Sequence, residues 1–201
     1  MERLKRALAE AHDWLRTVVR PGDTVVDATM GNGHDTVLLA GLVGSAGTVV
    51  AFDIQAEALV RTAARLEEAG LRNRCLLVHE GHESMELHLA RTLPEGGTIR
   101  ACVFNLGWLP GGDHAVGTCA DTTIRAAEAA LARLDPQGML LMVVYYGGRS
   151  GFVERDAVLA WAAALDCRRW TVRRTDFPNG ANCPPFLLAI EANPAARGRS
   201  T

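Results

Sequence analysis

The chain has 201 residues, of which 48% are hydrophobic and 22% charged, and a formal net charge of −2. This length and composition suffice for one well-buried domain and exclude two ordinary ones, so we expect a single domain over residues 1–192 and a frayed polar tail over 193–201. The near-neutral charge excludes a global positive field that would attract nucleic acid, so any RNA contact must be local.

The cysteines and the N-terminal segment predict a cytoplasmic protein. Five cysteines, an odd number with no Cys-x-x-Cys pair, are typical of reduced thiols in a chain that folds without disulfides. The N-terminus mixes charges throughout and lacks an apolar run of signal-peptide length. No later stretch approaches the roughly 20 apolar residues that a membrane span needs, so we expect neither secretion nor a membrane partner.

Hydrophobic periodicity predicts alternating helices and strands along the first half of the chain. Apolar residues at helical spacing over 4–19 predict an amphipathic lead-in helix within residues 1–20, which Pro21 and Gly22 end. Four strand-then-helix units follow, which predicts a mostly parallel sheet with helices on both faces. The predicted strands are "TVVDAT", "GTVVAFDI", "RCLLVHE" and "IRACVFNLG", and the helices extend to about Ala40 and over about 55–69, 84–92 and 118–134.

The second half continues this alternation and ends in a predicted hairpin. A turn at "DPQG" precedes the strand "MLLMVVYYG" and a helix from about Phe152 to Leu165. The runs "WTVRRTDF" and "PPFLLAIEA" have only "PNGANC" between them, which predicts an antiparallel hairpin at the edge of the sheet. The only dense basic cluster, Arg168 to Arg174, falls in this hairpin and is either a phosphate contact or a solvated edge strand protected by charge.

The segment "DATMGNGHDT", Asp27 to Thr36, is a glycine-rich turn between the first predicted strand and the following helix. Ligands of open parallel sheets bind at the carboxyl ends of the strands, and Gly31 and Gly33 let the backbone turn sharply and approach a ligand closely. Asp53 closes the second strand 20 residues after Gly33, where a carboxylate accepts hydrogen bonds from both hydroxyls of a ribose. The turn and Asp53 together predict an adenosine-type cofactor.

Two features of this turn favour S-adenosylmethionine over NAD. Thr36 stands where a dinucleotide site usually has the third glycine or alanine of its pattern. Asp27 and Asp35 bracket the glycines, and carboxylates there repel a pyrophosphate but attract a sulfonium and an α-amino group. The alternative is that Asp27 caps the turn and Asp35 serves the helix dipole. His82, in "EGHESM", and Gln55 are ambiguous between cofactor contacts and ordinary turn or helix-start residues.

A second cluster of polar residues lies in "VFNLGWLPGGDH", residues 104–114, after the fourth strand. The carbonyl of Asn105 and the backbone carbonyls after it can accept hydrogen bonds from an amine and aim its lone pair at an electrophilic methyl group, which suits N-methylation. Trp108 offers a face on which a flat base can stack. The alternatives are an Asn105 that closes a turn and a Trp108 in the core. Asp113 and His114 are either proton acceptors or a helix N-cap.

Two later stretches are expected to join this site. "YYGGRSG" follows the fifth strand and supplies Tyr145 and Arg149 as aromatic and guanidinium contacts. "PNGANCPPF" brings Asn182 and two prolines into the closing hairpin.

The motifs "DATMGNGHDT", "FDIQ", "EGHESM", "VFNLGWLPGGDH" and "NCPPFLLAIE" resemble, in order and over nearly the whole chain, those of the bacterial tRNA 5-aminomethyl-2-thiouridine methyltransferases, a family formerly named as rRNA methylases. The resemblance implies a Rossmann-like, seven-stranded class I methyltransferase fold that uses S-adenosylmethionine. It also implies methylation of the aminomethyl nitrogen on the wobble uridine, position 34, of certain tRNAs.

Functional residues carry over from the resemblance by position. The cofactor would be held by Asn32, Asp35, Asp53, Gln55 and His82, and the modified base by Asn105, Leu106, Gly107, Trp108 and the loop through Asp113. Three positions depart from the family pattern: "YYGGRSG" lacks a histidine and introduces Arg149, Trp108 replaces a usual tyrosine, and His114 a usual lysine.

The expected partner is the anticodon loop of a tRNA, whose bases can splay out without duplex opening. An rRNA or small-amine methyltransferase would use the same cofactor site, and a non-catalytic nucleotide- or tRNA-binding module is the alternative of another class. The proton acceptor remains open between Asp113, His114 and solvent. A homodimer would suit a small RNA enzyme whose own basic surface is limited.

Overall fold

The computed structural model describes residues 6–108 and 117–193, apart from the side chains of 148–150. Six helices and seven strands alternate in these residues. The helices are α1 (Ala7–Val18), α2 (His34–Leu42), α3 (Ala56–Glu68), α4 (Met85–Thr92), α5 (Ala120–Arg133) and α6 (Gly148–Ala164). The strands are β1 (Thr24–Asp27), β2 (Thr48–Phe52), β3 (Cys75–Val78), β4 (Ile99–Leu106), β5 (Leu134–Val144), β6 (Trp170–Thr175) and β7 (Phe186–Ala192).

All seven strands form one sheet in the order β3-β2-β1-β4-β5-β7-β6. Strands β1 to β5 are parallel, whereas β7 runs antiparallel to both β5 and β6. The strand order reverses between β1 and β4, and this is the point at which open α/β sheets bind their ligands. The predicted α/β class, the mostly parallel sheet and the closing hairpin are therefore confirmed.

The sheet is buried on both faces, because alternate residues of each strand point to opposite sides. On β4, Cys102, Phe104 and Leu106 belong to one core cluster, and Ala101 and Val103 to the other. The lead-in helix α1 belongs to the second cluster through Ala7, Ala11 and Leu15. It packs on β4, β5 and β7. The N-terminal helix thus covers the half of the sheet that contains the switch strand β4.

Two predicted boundaries were wrong. "DPQG" was predicted as a turn before the strand, but these residues lie within β5, where the pairing shifts from Ile99–Leu134 to Ala101–Met139. The backbone N–H of Gln137 donates to Asp135 Oδ1 at 2.7 Å, so the turn-forming residues make a bulge that the strand absorbs. Helix α6 begins at Gly148, four residues before the predicted start, and so includes part of "YYGGRSG".

No helix within the described ranges is long and apolar enough to cross a membrane.

Candidate cofactor and acceptor site

Two adjoining cavities open at the carboxyl ends of β1, β2 and β4. The first has a volume of about 250 Å³ and the second about 200 Å³. The first extends toward the ends of β2 and β3, and the second toward α1, α2 and the end of β5. Both are lined by Thr29, Gly31, Asn105, Gly107 and Trp108. The site therefore has two compartments that meet at the end of β4.

The glycine-rich turn is held in place by backbone hydrogen bonds and by helix α3. Gly31 and Gly33 have φ angles of 49° and 80°, in the left-handed region that favours glycine. A Cβ on Gly33 would lie 2.7 Å from Thr62 Oγ1, so the close approach of α3 requires glycine. Thr62 Oγ1 also donates to the Gly31 carbonyl at 3.1 Å. Gly33 thus lets α3 pack against the turn, whereas Gly31 lines both cavities.

Asp53 ties the turn to the end of β2 and lines the first cavity. Its Oδ2 accepts the Gly31 N–H at 3.0 Å, and its Oδ1 accepts the Gln55 N–H at 2.9 Å. Each carboxylate oxygen has two acceptor positions, so both can accept a further hydrogen bond from a ligand hydroxyl. Gln55 and the 54% exposed side chain of Ile54 lie beside it in the same cavity wall. These residues provide acceptors for a ribose and an apolar surface for a flat ring.

His82 is buried in the wall of the first cavity. Its Nδ1 lies 3.1 Å from the Ala28 carbonyl, which can only accept, so Nδ1 carries the proton and donates. Burial lowers the pKa of the imidazole and keeps it neutral. Nε2 is then an acceptor, and no described residue offers it a hydrogen bond. An unpaired buried acceptor that lines a cavity suits the amino group of a ligand such as adenine.

The two aspartates of the turn have different environments. Asp27 is fully buried and lines neither cavity; it accepts hydrogen bonds from the Thr36 hydroxyl at 2.6 Å and the Thr29 N–H at 3.2 Å. Burial, assisted by the charge of Asp35, raises the pKa of Asp27 to about 7. These hydrogen bonds are the ones expected if Asp27 caps the turn. Contact between Asp27 and the cofactor stays a prediction, and the burial of Asp27 away from both cavities does not favour it.

Asp35, in contrast, lines the second cavity and bonds two side chains. Its Oδ1 lies 2.7 Å from His12 Nε2, and its Oδ2 accepts Asn105 Nδ2 at 2.7 Å. The Asn105 backbone N–H donates to Thr29 Oγ1 at 2.7 Å. Asn105 is therefore held through both its backbone and its amide where the two cavities meet.

Hydrogen bonds join the residues that stand just before and just after the segment 109–116. Trp108 pairs with Gly117 in an isolated antiparallel bridge, and the Thr118 N–H donates to the Gly107 carbonyl at 2.9 Å. Thr118 Oγ1 accepts the Gly107 N–H at 2.9 Å and donates to the buried Glu154 at 2.6 Å. Trp108 is 39% exposed and lines both cavities, so it is not a core residue.

The remaining predicted site residues fall into three groups. Asn32, Leu106 and Tyr145 line the second cavity. Asn182 lies in the exposed β6–β7 loop at the same end of the sheet, but it lines neither cavity. Asp113 and His114 lie outside the described residues, as does the side chain of Arg149.

Sequence reasoning did not identify His12, Thr29, Thr118 or Glu154. Thr29 lies inside the glycine-rich turn, two residues after Asp27, and this spacing could have identified it. Helix α1 carried no signal for His12, because its partner Asp35 is 23 residues away and meets it only through packing.

Comparison with known proteins identifies the family of the chain. A family profile described as "Putative rRNA methylase" matches residues 49–191, and a profile of protein-L-isoaspartate O-methyltransferases matches residues 5–87. The chain is 37% identical, over 195 residues, to a chloroplastic tRNA (mnm5s2U34)-methyltransferase of Arabidopsis thaliana. That match covers 93% of this chain and 70% of the relative.

Solved structures share both sequence and fold with the chain. A crystal structure of a "putative rRNA-methylase" from Clostridium thermocellum is 42% identical, with a TM-score of 0.90, over 96% of this chain and 100% of that one. A "putative methyltransferase" from Streptococcus mutans, solved with S-adenosylhomocysteine, is 37% identical, with a TM-score of 0.84, over 94% and 99% of the two chains.

The predicted cofactor is therefore confirmed as S-adenosylmethionine, and the acceptors of Asp53 and His82 and the apolar surface at Ile54 fit its adenosine part. Sequence, fold and cofactor site together show that the chain belongs to the rRNA-methylase family matched here and is a class I S-adenosylmethionine-dependent methyltransferase.

Proposed function

We propose that the protein methylates the aminomethyl nitrogen of 5-aminomethyl-2-thiouridine at position 34 of tRNA, giving 5-methylaminomethyl-2-thiouridine. The observation that carries this proposal is the position of Asn105, which ends β4 and lines both cavities. The name of the Arabidopsis relative, which specifies the wobble nucleoside mnm5s2U34, supports the choice of acceptor.

The first cavity binds the cofactor, and the second binds the base that carries the acceptor amine. When bound, S-adenosylmethionine supplies an electrophilic methyl group. Asp53 and His82 hold the adenosine part in the first cavity, while Trp108 and Tyr145 receive the base in the second. A base stacked on an aromatic side chain gains about 1 to 3 kcal/mol. Asn105 lines both cavities, and this position supports its assignment as the residue that contacts the reacting amine.

Asn105 orients the acceptor amine rather than activating it chemically. Its amide NH₂ is engaged by Asp35, so the carbonyl oxygen is the part of the amide that can accept an N–H from the substrate. That hydrogen bond directs the nitrogen lone pair, and alignment is the largest gain available to a transfer of this kind. Removal of the amine proton is assigned to Asp113, His114 or solvent.

The proposed partner is the anticodon loop of a tRNA. Its bases can be splayed out and stacked on aromatic side chains, so the protein need not open a duplex to reach the wobble base. This requirement is compatible with a formal net charge of −2, since only a local basic surface is needed.

The test is nucleoside mass spectrometry of tRNA that carries 5-aminomethyl-2-thiouridine, after incubation with the protein and S-adenosylmethionine. We expect a gain of one methyl group on that nucleoside. Asn105→Ala should lower the transfer rate about 100-fold, because the amine loses its alignment, while the Kd for the cofactor stays within about twofold.

Two outcomes would contradict this proposal. Equal loss of transfer and of cofactor binding in Asn105→Ala would remove Asn105 from the acceptor side. No methyl gain by wild-type protein that binds S-adenosylmethionine in titration calorimetry would point to another acceptor, such as an rRNA or a small amine.

A further inference from the structure

A hydrogen-bonded chain of three side chains links helix α1 to the site. His12 Nε2 lies 2.7 Å from Asp35 Oδ1, and Asp35 Oδ2 accepts Asn105 Nδ2 at 2.7 Å. The side chain of Asp35 is 7% exposed and that of His12 is 23% exposed. The three residues come from α1, α2 and β4, so only the folded packing of these elements assembles the chain.

The direction of each hydrogen bond in this chain is fixed by chemistry. An ionised carboxylate has acceptors only, so both His12 Nε2 and Asn105 Nδ2 must present hydrogens to Asp35. Asn105 therefore points its NH₂ at Asp35. Because the amide is planar, the carbonyl oxygen lies on the side away from Asp35.

His12 also donates to Asp35 Oδ1, an oxygen that could otherwise bind the substrate amine in an unproductive form. An aminomethyl group is basic and exists largely as an ammonium ion near neutral pH, which a carboxylate binds more strongly than an amide carbonyl does. An ammonium ion paired with Asp35 has no lone pair to attack a methyl group. With Oδ1 bound to His12 and Oδ2 to Asn105, Asp35 has less capacity for this unproductive contact.

We propose that His12 is a positioning residue for methyl transfer. Through Asp35 it fixes the amide of Asn105 with the carbonyl toward the acceptor amine, and it competes with the ammonium form of the amine for Asp35. This inference rests on the proposed function for its acceptor, but the link from His12 to Asn105 can be tested without any acceptor.

The test compares three variants of the full-length protein. His12→Ala removes the donor to Asp35, and His12→Gln keeps a donor, because the Gln Nε2 lies at nearly the same reach as the imidazole Nε2. Thr17→Ala is the matched control, since Thr17 is exposed on the same helix and, within the described residues, its hydroxyl donates to the Asp13 carbonyl at 2.8 Å and bonds no residue of the site.

We expect His12→Ala to lower kcat about 10- to 100-fold, with the KM for tRNA unchanged or lower and the Kd for S-adenosylmethionine within about twofold. His12→Gln should recover kcat to within about threefold of the wild type, and Thr17→Ala should match the wild type. A fully active His12→Ala variant would overturn the proposal. So would a His12→Gln variant as slow as His12→Ala, which would assign proton uptake to the imidazole.

A second readout needs no methyl acceptor. In protein labelled with ¹⁵N-asparagine, the Asn105 side-chain NH₂ signal, identified by its loss in Asn105→Ala, should show one proton protected from exchange. That protection should fall in His12→Ala and return in His12→Gln. If the wild type methylates no tRNA nucleoside, the proposed function fails while this signal still decides the His12 link. Unchanged protection in His12→Ala overturns the link itself.

Discussion

At the scale of single residues, the two aspartates of the glycine-rich turn have separate tasks. Asp35 faces the second cavity and holds Asn105, whereas Asp27 lies beneath the turn with Thr36 and Thr29 as its partners. The pKa of Asp27, raised to about 7 by burial, means that the folded protein binds this proton more tightly than the unfolded chain does. Asp27 therefore makes the stability of the protein sensitive to pH.

Because the carboxyl of Asp27 is buried, we expect the Asp27→Asn variant to depend less on pH in its stability than the wild type does. The Asp27 contribution is fully present below the unfolded pKa of 3.8 and is lost as pH rises through about 7. This loss is on the order of 4 kcal/mol for a shift of about three units. Asn keeps an acceptor for the Thr29 N–H, and its NH₂ can donate to Thr36 Oγ1, which reverses that hydrogen bond without leaving a buried charge. Asp27→Asn should therefore be the more stable protein at pH 8.

Urea unfolding of wild type and Asp27→Asn at pH 5 and pH 8 checks this prediction. The variant should lose less stability than the wild type between the two pH values. Asp121→Asn, which changes an exposed carboxyl in the first turn of α5, is the control and should keep the wild-type difference. Equal pH dependence in wild type and Asp27→Asn would contradict the prediction.

At the scale of elements, the arginines of α3 and β6 differ in whether their charge is compensated. On β6 and its flanks, Arg168, Arg173 and Arg174 form ion pairs with Asp166, Glu10 and Asp176, respectively. On α3, Arg61 Nη1 donates to Asn32 Oδ1 at 3.1 Å and Arg65 Nε donates to the Asn32 carbonyl at 3.0 Å. Among the described residues neither has a carboxylate partner, and Asn32 lines the second cavity.

We therefore expect α3, rather than the basic cluster of β6, to contact RNA phosphates. The double variant Arg61→Ala/Arg65→Ala should weaken tRNA binding and lower the slope of log K against log salt by about 1 to 2, since each phosphate contact contributes roughly 0.7 to 0.9. Filter binding over a salt series measures both quantities. Arg168→Ala/Arg174→Ala is the control, with affinity within about twofold, and equal losses in the two double variants would refute the assignment.

Sequence periodicity predicted the elements well because each buries an apolar stripe or strand of its own. It placed "DPQG" wrongly because the polar turn signal is local, whereas the pairing of β5 with β4 continues past it. That Gly31 and Asp53 meet in one cavity was predictable, because they follow neighbouring parallel strands. The His12–Asp35–Asn105 chain was not predictable, because a contact between side chains of three separate elements leaves no pattern in any one of them.

At the scale of the whole molecule, the reversal of strand order between β1 and β4 creates a ligand site at one end of a single sheet. Ligand binding to the folded state alone stabilises it, by about 2.7 kcal/mol at a concentration 100 times the Kd. S-adenosylhomocysteine should therefore raise the Tm by about 5 to 10 °C in a chain of this size.

Differential scanning fluorimetry with S-adenosylhomocysteine and with NAD at equal concentration tests the specificity of the whole site. NAD should leave the Tm unchanged, because a dinucleotide would place its pyrophosphate at the start of α2, where the carboxylate of Asp35 in the first turn disfavours it. Asp53→Ala should lose most of the shift with S-adenosylhomocysteine, since it removes the acceptors for the ribose. An equal shift with both ligands would contradict this account of the turn.

The hydrogen bonds between Gly107 and Thr118 make the segment 109–116 replaceable as a unit. Because these residues bond each other and Glu154 anchors Thr118, the chain leaves and rejoins the scaffold at a single point. We expect that the segment 109–116 can be replaced by another segment at this junction without a change in β4 or α5. A different segment grafted between Gly107 and Thr118 should therefore leave the stability of the sheet and of the cofactor compartment unchanged.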